Sequence, residues 1–169
     1  MTVGSSPVDI SKLGQAKRHI LTDKQGIPLS AVISSASTHD IKAVADVIDN
    51  SVINRPSNLS FTKKNKRIKY NHLCLDKAYN SKPIENKIIG RRFVPLIPYK
   101  RKRGQRKEEI AYQHKHQTIR NKRWVVERTN SWHNRFRKLF TRYEKKVENY
   151  LGLVQLSCSI IIYRKIILG

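Results

Sequence analysis

Acidic residues are scarce: 12 Asp and Glu stand against 35 Lys and Arg in 169 residues, which leaves a formal net charge of +23. Solubility needs far less, so the imbalance points to a polyanionic partner, a nucleic acid. Charge alone separates neither RNA from DNA nor binding from catalysis. Only two cysteines occur, Cys74 and Cys158. They lie far apart, without metal-ligand spacing or the density of a disulfide scaffold, and read as reduced packing residues. No apolar stretch follows a basic start, so a secretory signal is not expected. The longest apolar segment, 150–163, is interrupted by Gln155, Ser157 and Ser159 and suits a core helix better than a membrane span. These absences predict a cytoplasmic protein with no membrane partner. A glycine-rich phosphate loop is also lacking, and the six histidines show no zinc spacing; His114 and His116 read as a polar surface pair.

What is present suits one domain over 1–169. Residues 1–16, rich in Gly, Ser and Pro, read as a loop-like lead-in. Two β-prone segments, 18–21 and 28–34, flank turn residues 22–26 and predict a hairpin. Asp40 precedes apolar residues at helical spacing and is expected to cap that helix. Residues 72–76 read as a buried strand ending in a carboxylate, 82–89 as a helix with Pro83 in its first turn, and 93–97 as an edge strand, since Pro95 lacks a ladder donor. Strand, helix and strand in alternation favour an α/β layer. Residues 54–70 and 98–117 read as basic loops; within 99–107, six of nine residues are Lys or Arg. A long helix is expected over 118–143, with Val125, Trp132, Phe136, Leu139 and Tyr143 on one stripe and Arg123, Glu127, Asn130, Ser131 and Asn134 away from it. A last helix, 147–167, is apolar nearly all round and is expected to be buried.

With so few acids, each can be weighed for metal chemistry. Asp76 ends an apolar strand, and carboxyl ends of strands in open α/β sheets face the ligand crevice. Glu127 is the only acid between Glu109 and Glu144, in a segment crowded with Arg and Lys. Plainer readings stand beside these: Asp76 capping the next turn, and Glu127 pairing with Arg123 four residues away. Trp124 could stack on a base, although Trp124 and Trp132 on an amphipathic helix are more often core.

The string Leu73-Cys74-Leu75-Asp76-Lys77-Ala78-Tyr79-Asn80-Ser81 resembles the segment around the second catalytic aspartate of insertion-sequence DDE transposases. Arg123-Trp124-Val125-Val126-Glu127-Arg128-Thr129-Asn130-Ser131-Trp132 is similar to the helix carrying that family's glutamate. Lys17-Arg18-His19-Ile20-Leu21-Thr22-Asp23, Gly26-Ile27-Pro28-Leu29, Thr38-His39-Asp40, Arg142-Tyr143-Glu144-Lys145-Lys146 and Glu148-Asn149-Tyr150-Leu151 match in order, so the resemblance covers nearly the whole chain. It implies a ribonuclease-H-like fold, a mixed five-stranded sheet flanked by helices, with two long helices at the C-terminal end. Aligned this way, the chain starts in the loop after the first strand. The first strand and its aspartate are therefore expected to be missing, and neither Asp9 nor Asp23 is a good substitute.

The resemblance further implies that Asp76 and Glu127 are catalytic and metal-ligating, holding Mg2+ in a two-ion site if an upstream Asp is supplied. Two such ions activate the attacking oxygen and stabilise the leaving one. Many family members place Tyr and Arg before the glutamate and Lys after it; here Arg123 fits, Arg120 stands at the tyrosine position and Asn134 at the lysine position. Arg123, Arg128, Asn134, Arg135, Lys100, Arg101, Lys102 and Arg103 are the candidate DNA contacts, the cations acting by neutralising phosphates. Transposon ends and target DNA are the implied partners, with an upstream reading-frame product and a homo-oligomer on DNA also open. The chain by itself is expected not to cleave. The alternatives are a non-catalytic DNA-binding remnant or regulator of the element, and a basic RNA-binding protein.

Overall fold

The computed structural model describes residues 1–8, 16–53, 71–98, 104, 124–141 and 143–168. Its strands are β1 (Thr2–Val8), β2 (Ala16–Thr22), β3 (Pro28–Ser35), β4 (Asn71–Cys74) and β5 (Phe93–Leu96). Its α-helices are α1 (Asp40–Asp49), α2 (Lys82–Gly90), α3 (Trp124–Asn134), α4 (Arg137–Phe140) and α5 (Val147–Ile166), and a 3-10 turn covers Lys77–Tyr79. The strands form one mixed sheet in the order β3-β2-β1-β4-β5. This is the α/β arrangement of the ribonuclease-H-like class.

The expectation that the first strand is missing is corrected here, as is the loop-like reading of residues 2–8; residues 9–15 lie outside the described residues. Thr2–Val8 fills the central place, antiparallel to β2 along its whole length from Thr2↔Thr22 to Val8↔Ala16 and parallel to β4 at Thr2↔Cys74. Backbone bonds fasten the junction: the Met1 amino group donates to the His72 carbonyl at 2.9 Å, and the Cys74 amide donates to the Met1 carbonyl at 2.7 Å. Pairing with β2 overrides the weak strand propensity of the Gly-Ser-Ser-Pro run, because the ladder satisfies its backbone groups. The strand nevertheless carries no acid.

The hairpin forms as expected. Asp23 Oδ1 accepts from the amides of Gln25 and Ile27, both at 2.8 Å, and Gly26 takes φ +86°, which its lack of a Cβ permits. Alternation along β2 sends Leu21 to one face and Ile20 to the other. Leu21 joins Val3, Leu29, Leu73 and Leu75 under α1 and α2, while Ile20 joins Ala16, Val126, Leu139, Tyr150 and Val154 under α3, α4 and α5. The sheet is thus covered on both faces.

Three helix expectations need revision. His39, not Asp40, caps α1, its Nδ1 accepting the Ile41 amide at 3.4 Å; Asp40 is the first helical residue and pairs with Lys17 at 3.1 Å. Near the helix start its charge still complements the dipole. Of the long helix expected over 118–143, the described residues 124–141 form two helices, because the amides of Arg135 and Phe136 bond three residues back, to Trp132 and His133, and tighten the turn until α3 stops. Asn130 is buried rather than on a polar face, and Tyr143 is 71 % exposed. The last helix buries Tyr150, Val154, Ser157 and Ile161 and leaves Leu156, Tyr163 and Ile166 exposed, since only one side meets the sheet. Among the described residues no helix is long and apolar enough to cross a membrane. The basic loops of 54–70 and 98–117 lie outside the described residues, apart from Pro98 and Gly104.

Candidate functional site

Two apolar residues, Leu73 and Leu75, anchor the end of β4, and the Leu75 amide extends the ladder by donating to the Leu96 carbonyl at 3.1 Å. Asp76 follows at the carboxyl end of the strand, half-buried. Its Oδ1 accepts the Lys77 amide at 2.6 Å and caps the 3-10 turn, so the plainer reading of this residue holds as a structural role. Tyr79 closes that turn with its ring buried. Burial, and then the charges of Asp40 and Asp76, push its phenol well above the usual range, so it stays protonated.

Glu127 is exposed on α3, a helix that covers β1 and β2. Val125, Val126, Thr129, Asn130 and His133 form the buried side. Thr129 Oγ1 donates to the Gly26 carbonyl at 2.7 Å, and Arg128 donates to the Gln25 carbonyl, which docks the helix on the hairpin turn. The Arg128 guanidinium also lies 4.7 Å from the Trp124 ring centre and 5.1 Å from that of Trp132, a cation held between two indoles, each about one helical turn away from it. Arg128, a candidate DNA contact, is thereby committed to holding α3.

The two acids sit on elements that both touch β1. Gly4 follows Thr2 by two residues, as Asp76 follows Cys74 by two, and a Cβ on Gly4 would meet Val126, the neighbour of Glu127, at 2.7 Å. In the central place of the sheet this chain has an acid-free strand pressed against α3. Among the described residues no group of three His, Cys, Asp or Glu could hold a metal ion. Two carboxylates on separate elements do not complete a two-ion site.

The other candidate contacts separate. Asn134 is exposed, and its Oδ1 accepts from Arg18 Nη2 at 2.7 Å. Arg135 is exposed and lines a groove between α3 and α5. Arg123, Lys100, Arg101, Lys102 and Arg103 lie outside the described residues.

Sequence reasoning missed a buried polar cluster beneath α3. Arg18 is 1 % exposed and, among the described residues, donates not to a carboxylate but to Asn134 and to the Leu139 carbonyl. His133 Nδ1 lies 2.7 Å from Ser157 Oγ, and its Nε2 lies 3.8 Å from Cys158 Sγ. Burial, reinforced by Arg18, pushes His133 down to about 4, and burial pushes the Cys158 thiol up to about 12. The imidazole is therefore neutral and the thiol unreactive near neutral pH. In a chain so rich in Lys and Arg, nothing in the sequence marks Arg18 as the one turned inward.

Comparison with known proteins agrees with this architecture. The family model described as the transposase DDE domain matches residues 11–162. A putative transposase for insertion sequence element IS402 from Burkholderia cepacia is 27 % identical over 167 residues, covering 94 % of this chain and 67 % of the relative. No solved structure matches. Such a domain acts on DNA and uses divalent metal ions. With a matching sheet, matching motifs in order and a family match over most of its length, the chain belongs to the insertion-sequence DDE transposases, the family of DNA transposition.

Proposed function

We propose that this chain binds DNA chiefly through phosphates and contributes Asp76 and Glu127, two of three catalytic carboxylates, to the cutting and joining of transposon ends. The observation that carries the reading is the acid-free central strand: Asp76 stands at the end of β4 and Glu127 on the helix over β1, but β1 itself brings no carboxylate. Magnesium suits such acids because it prefers hard oxygen ligands and keeps several waters. Two ions would activate the attacking oxygen and stabilise the leaving one once a third carboxylate is present. No metal-dependent step is assigned to this chain by itself. The third acid comes from an upstream reading-frame product, fused or associated, whose Asp-bearing strand takes over the central place that β1 fills in this chain, and copies assemble on DNA in the cytoplasm because two transposon ends must be joined.

The test is an assay of magnesium-dependent end cleavage with and without an upstream segment bearing an Asp-ended strand. Cleavage is expected only with the segment, and Asp76→Asn is expected to abolish it. Cleavage by residues 1–169 alone, lost on Asp76→Asn, would overturn the division of labour. A second reading, a DNA-binding regulator of the element, draws on the same acid-free strand; it gains if the segment restores no cleavage while duplex binding persists.

A further inference from the structure

Between α3 and α5 runs a groove of about 430 Å³, lined by neither Asp76 nor Glu127. Its floor is apolar: Trp132, Phe136, Ile160 and Ile161. Its rim is cationic, made by Arg135, Arg164 and Lys165, with no acid among the described lining residues. Lys165 Nζ lies 5.0 Å from the Trp132 ring centre, which places charge and aromatic surface side by side.

Each feature narrows the occupant. Three cations without a carboxylate call for an anion. Duplex phosphates would use the rim and leave the floor idle, because paired bases stay stacked on one another. A second copy of this chain would bring a net charge of +23 against another +23. An anion with a flat apolar part fits all of it, and the volume lies within the roughly 300–1,000 Å³ of small-ligand sites. Single-strand-binding proteins combine the same two elements, a basic track and apolar or aromatic faces that take bases.

We propose that this groove takes one unpaired nucleotide of a DNA strand, with the base on Phe136, Ile160 and Ile161 and the phosphate among Arg135, Arg164 and Lys165. Naming DNA rests on the transposase reading above; the groove's chemistry is independent of it.

The experiment compares a short single-stranded oligodeoxynucleotide carrying one 2-aminopurine with an abasic strand of equal length and charge. The base-bearing strand is expected to bind about fivefold to a hundredfold more tightly, the range one stacked base supplies, with its fluorescence quenched. Ile160→Gln, at a position 37 % exposed and so tolerant of a polar side chain, is expected to erase that preference while duplex affinity changes less than twofold. Arg164→Gln is expected to weaken both strands alike. Equal binding of the base-bearing and abasic strands would overturn the proposal, as would a preference that survives Ile160→Gln. Poly-glutamate of matched charge competing equally, with the same sensitivity to Ile160→Gln, would reassign the groove to an acidic polypeptide and also overturn it. Loss of duplex binding with the base preference intact would instead sink the DNA-transposition reading and leave the groove assignment standing.

Discussion

Arg18 reaches from the middle of β2 to Asn134 at the end of α3, its Nη2 2.7 Å from Oδ1, while its Nη1 donates to the Leu139 carbonyl at 3.4 Å. One buried cation thereby ties the sheet to the point where α3 stops and α4 begins. Asn134→Ala leaves that charge short of an acceptor and is expected to cost about 1–3 kcal/mol. Arg18→Met with Asn134→Ala removes charge and partner together, so the double variant should lose less than the sum of the singles. Urea denaturation of the set measures this; strict additivity would show that the two side chains are not coupled.

His133 gives the fold a pH dependence of definite sign. Its folded value of about 4 lies below the ordinary 6.5, so the unfolded chain binds the proton more tightly. Stability from this group is present above pH 6.5 and lost as pH falls toward 4, at most about 3 kcal/mol over that interval. His19, also pushed down by burial, acts in the same direction. His133→Asn should flatten the slope of unfolding free energy between pH 6.5 and 4 relative to the parent chain. Parallel slopes in the two proteins would place the origin elsewhere.

Gly26 is fixed by conformation and by space. At φ +86° a Cβ would lie 3.0 Å from Thr129 Oγ1 and 3.1 Å from Arg128 Nη2, the atoms that dock α3 on the hairpin. Gly26→Ala is expected to destabilise by about 1–3 kcal/mol, combining left-handed strain with the disturbed contacts. Thermal unfolding is the check. A change under about 0.5 kcal/mol would mean that the turn relaxes freely.

Duplex DNA binding should weaken steeply with salt. The candidate contacts act by neutralising phosphates, and each contact adds about 0.9 to the logarithmic slope on B-DNA. Affinity titrated from low to physiological salt is expected to fall by orders of magnitude. A nearly flat response would reject phosphate-dominated binding, and stronger retention on duplex RNA would favour the RNA-binding alternative.

Local pattern made much of this molecule legible. The hairpin was carried by turn chemistry at 22–26, β4 by the run through Leu73 and Leu75, and the edge position of β5 by Pro95, because each signal is local and each matches the final environment. β1 was illegible for the opposite reason: only Val3 of its first residues enters the core, and its extended form comes from pairing with β2 and β4, partners that no window of sequence contains. The end of α3 was equally hidden, since no Pro or Gly marks it and the tightened bonds at Arg135 and Phe136 arise from packing. Asp76 and Glu127 stood out through scarcity of acids. Arg18 did not, because a buried arginine differs from a solvated one only through the fold around it.

The missing acid leads to the sharpest expectation. Gly4 lies two residues beyond Thr2, the β1 residue paired with Cys74, and faces Val126, next to Glu127, so a carboxylate at this position would stand against the helix that carries Glu127 on the strand that pairs with β4. The obstacle is steric, because a Cβ would approach Val126 Cγ1 to 2.7 Å and a packed interior does not yield that distance cheaply. Gly4→Asp alone should therefore destabilise the fold. Gly4→Asp with Val126→Ala removes both offending methyl groups and should regain part of the stability while gaining affinity for a divalent ion, read as Mn2+ binding by electron paramagnetic resonance. Asp76→Asn or Glu127→Gln added to the pair should each reduce that affinity. If the stable double variant binds Mn2+ no better than the parent chain, Asp76 and Glu127 do not face a common centre beside β1, and their assignment as partners in one metal site fails.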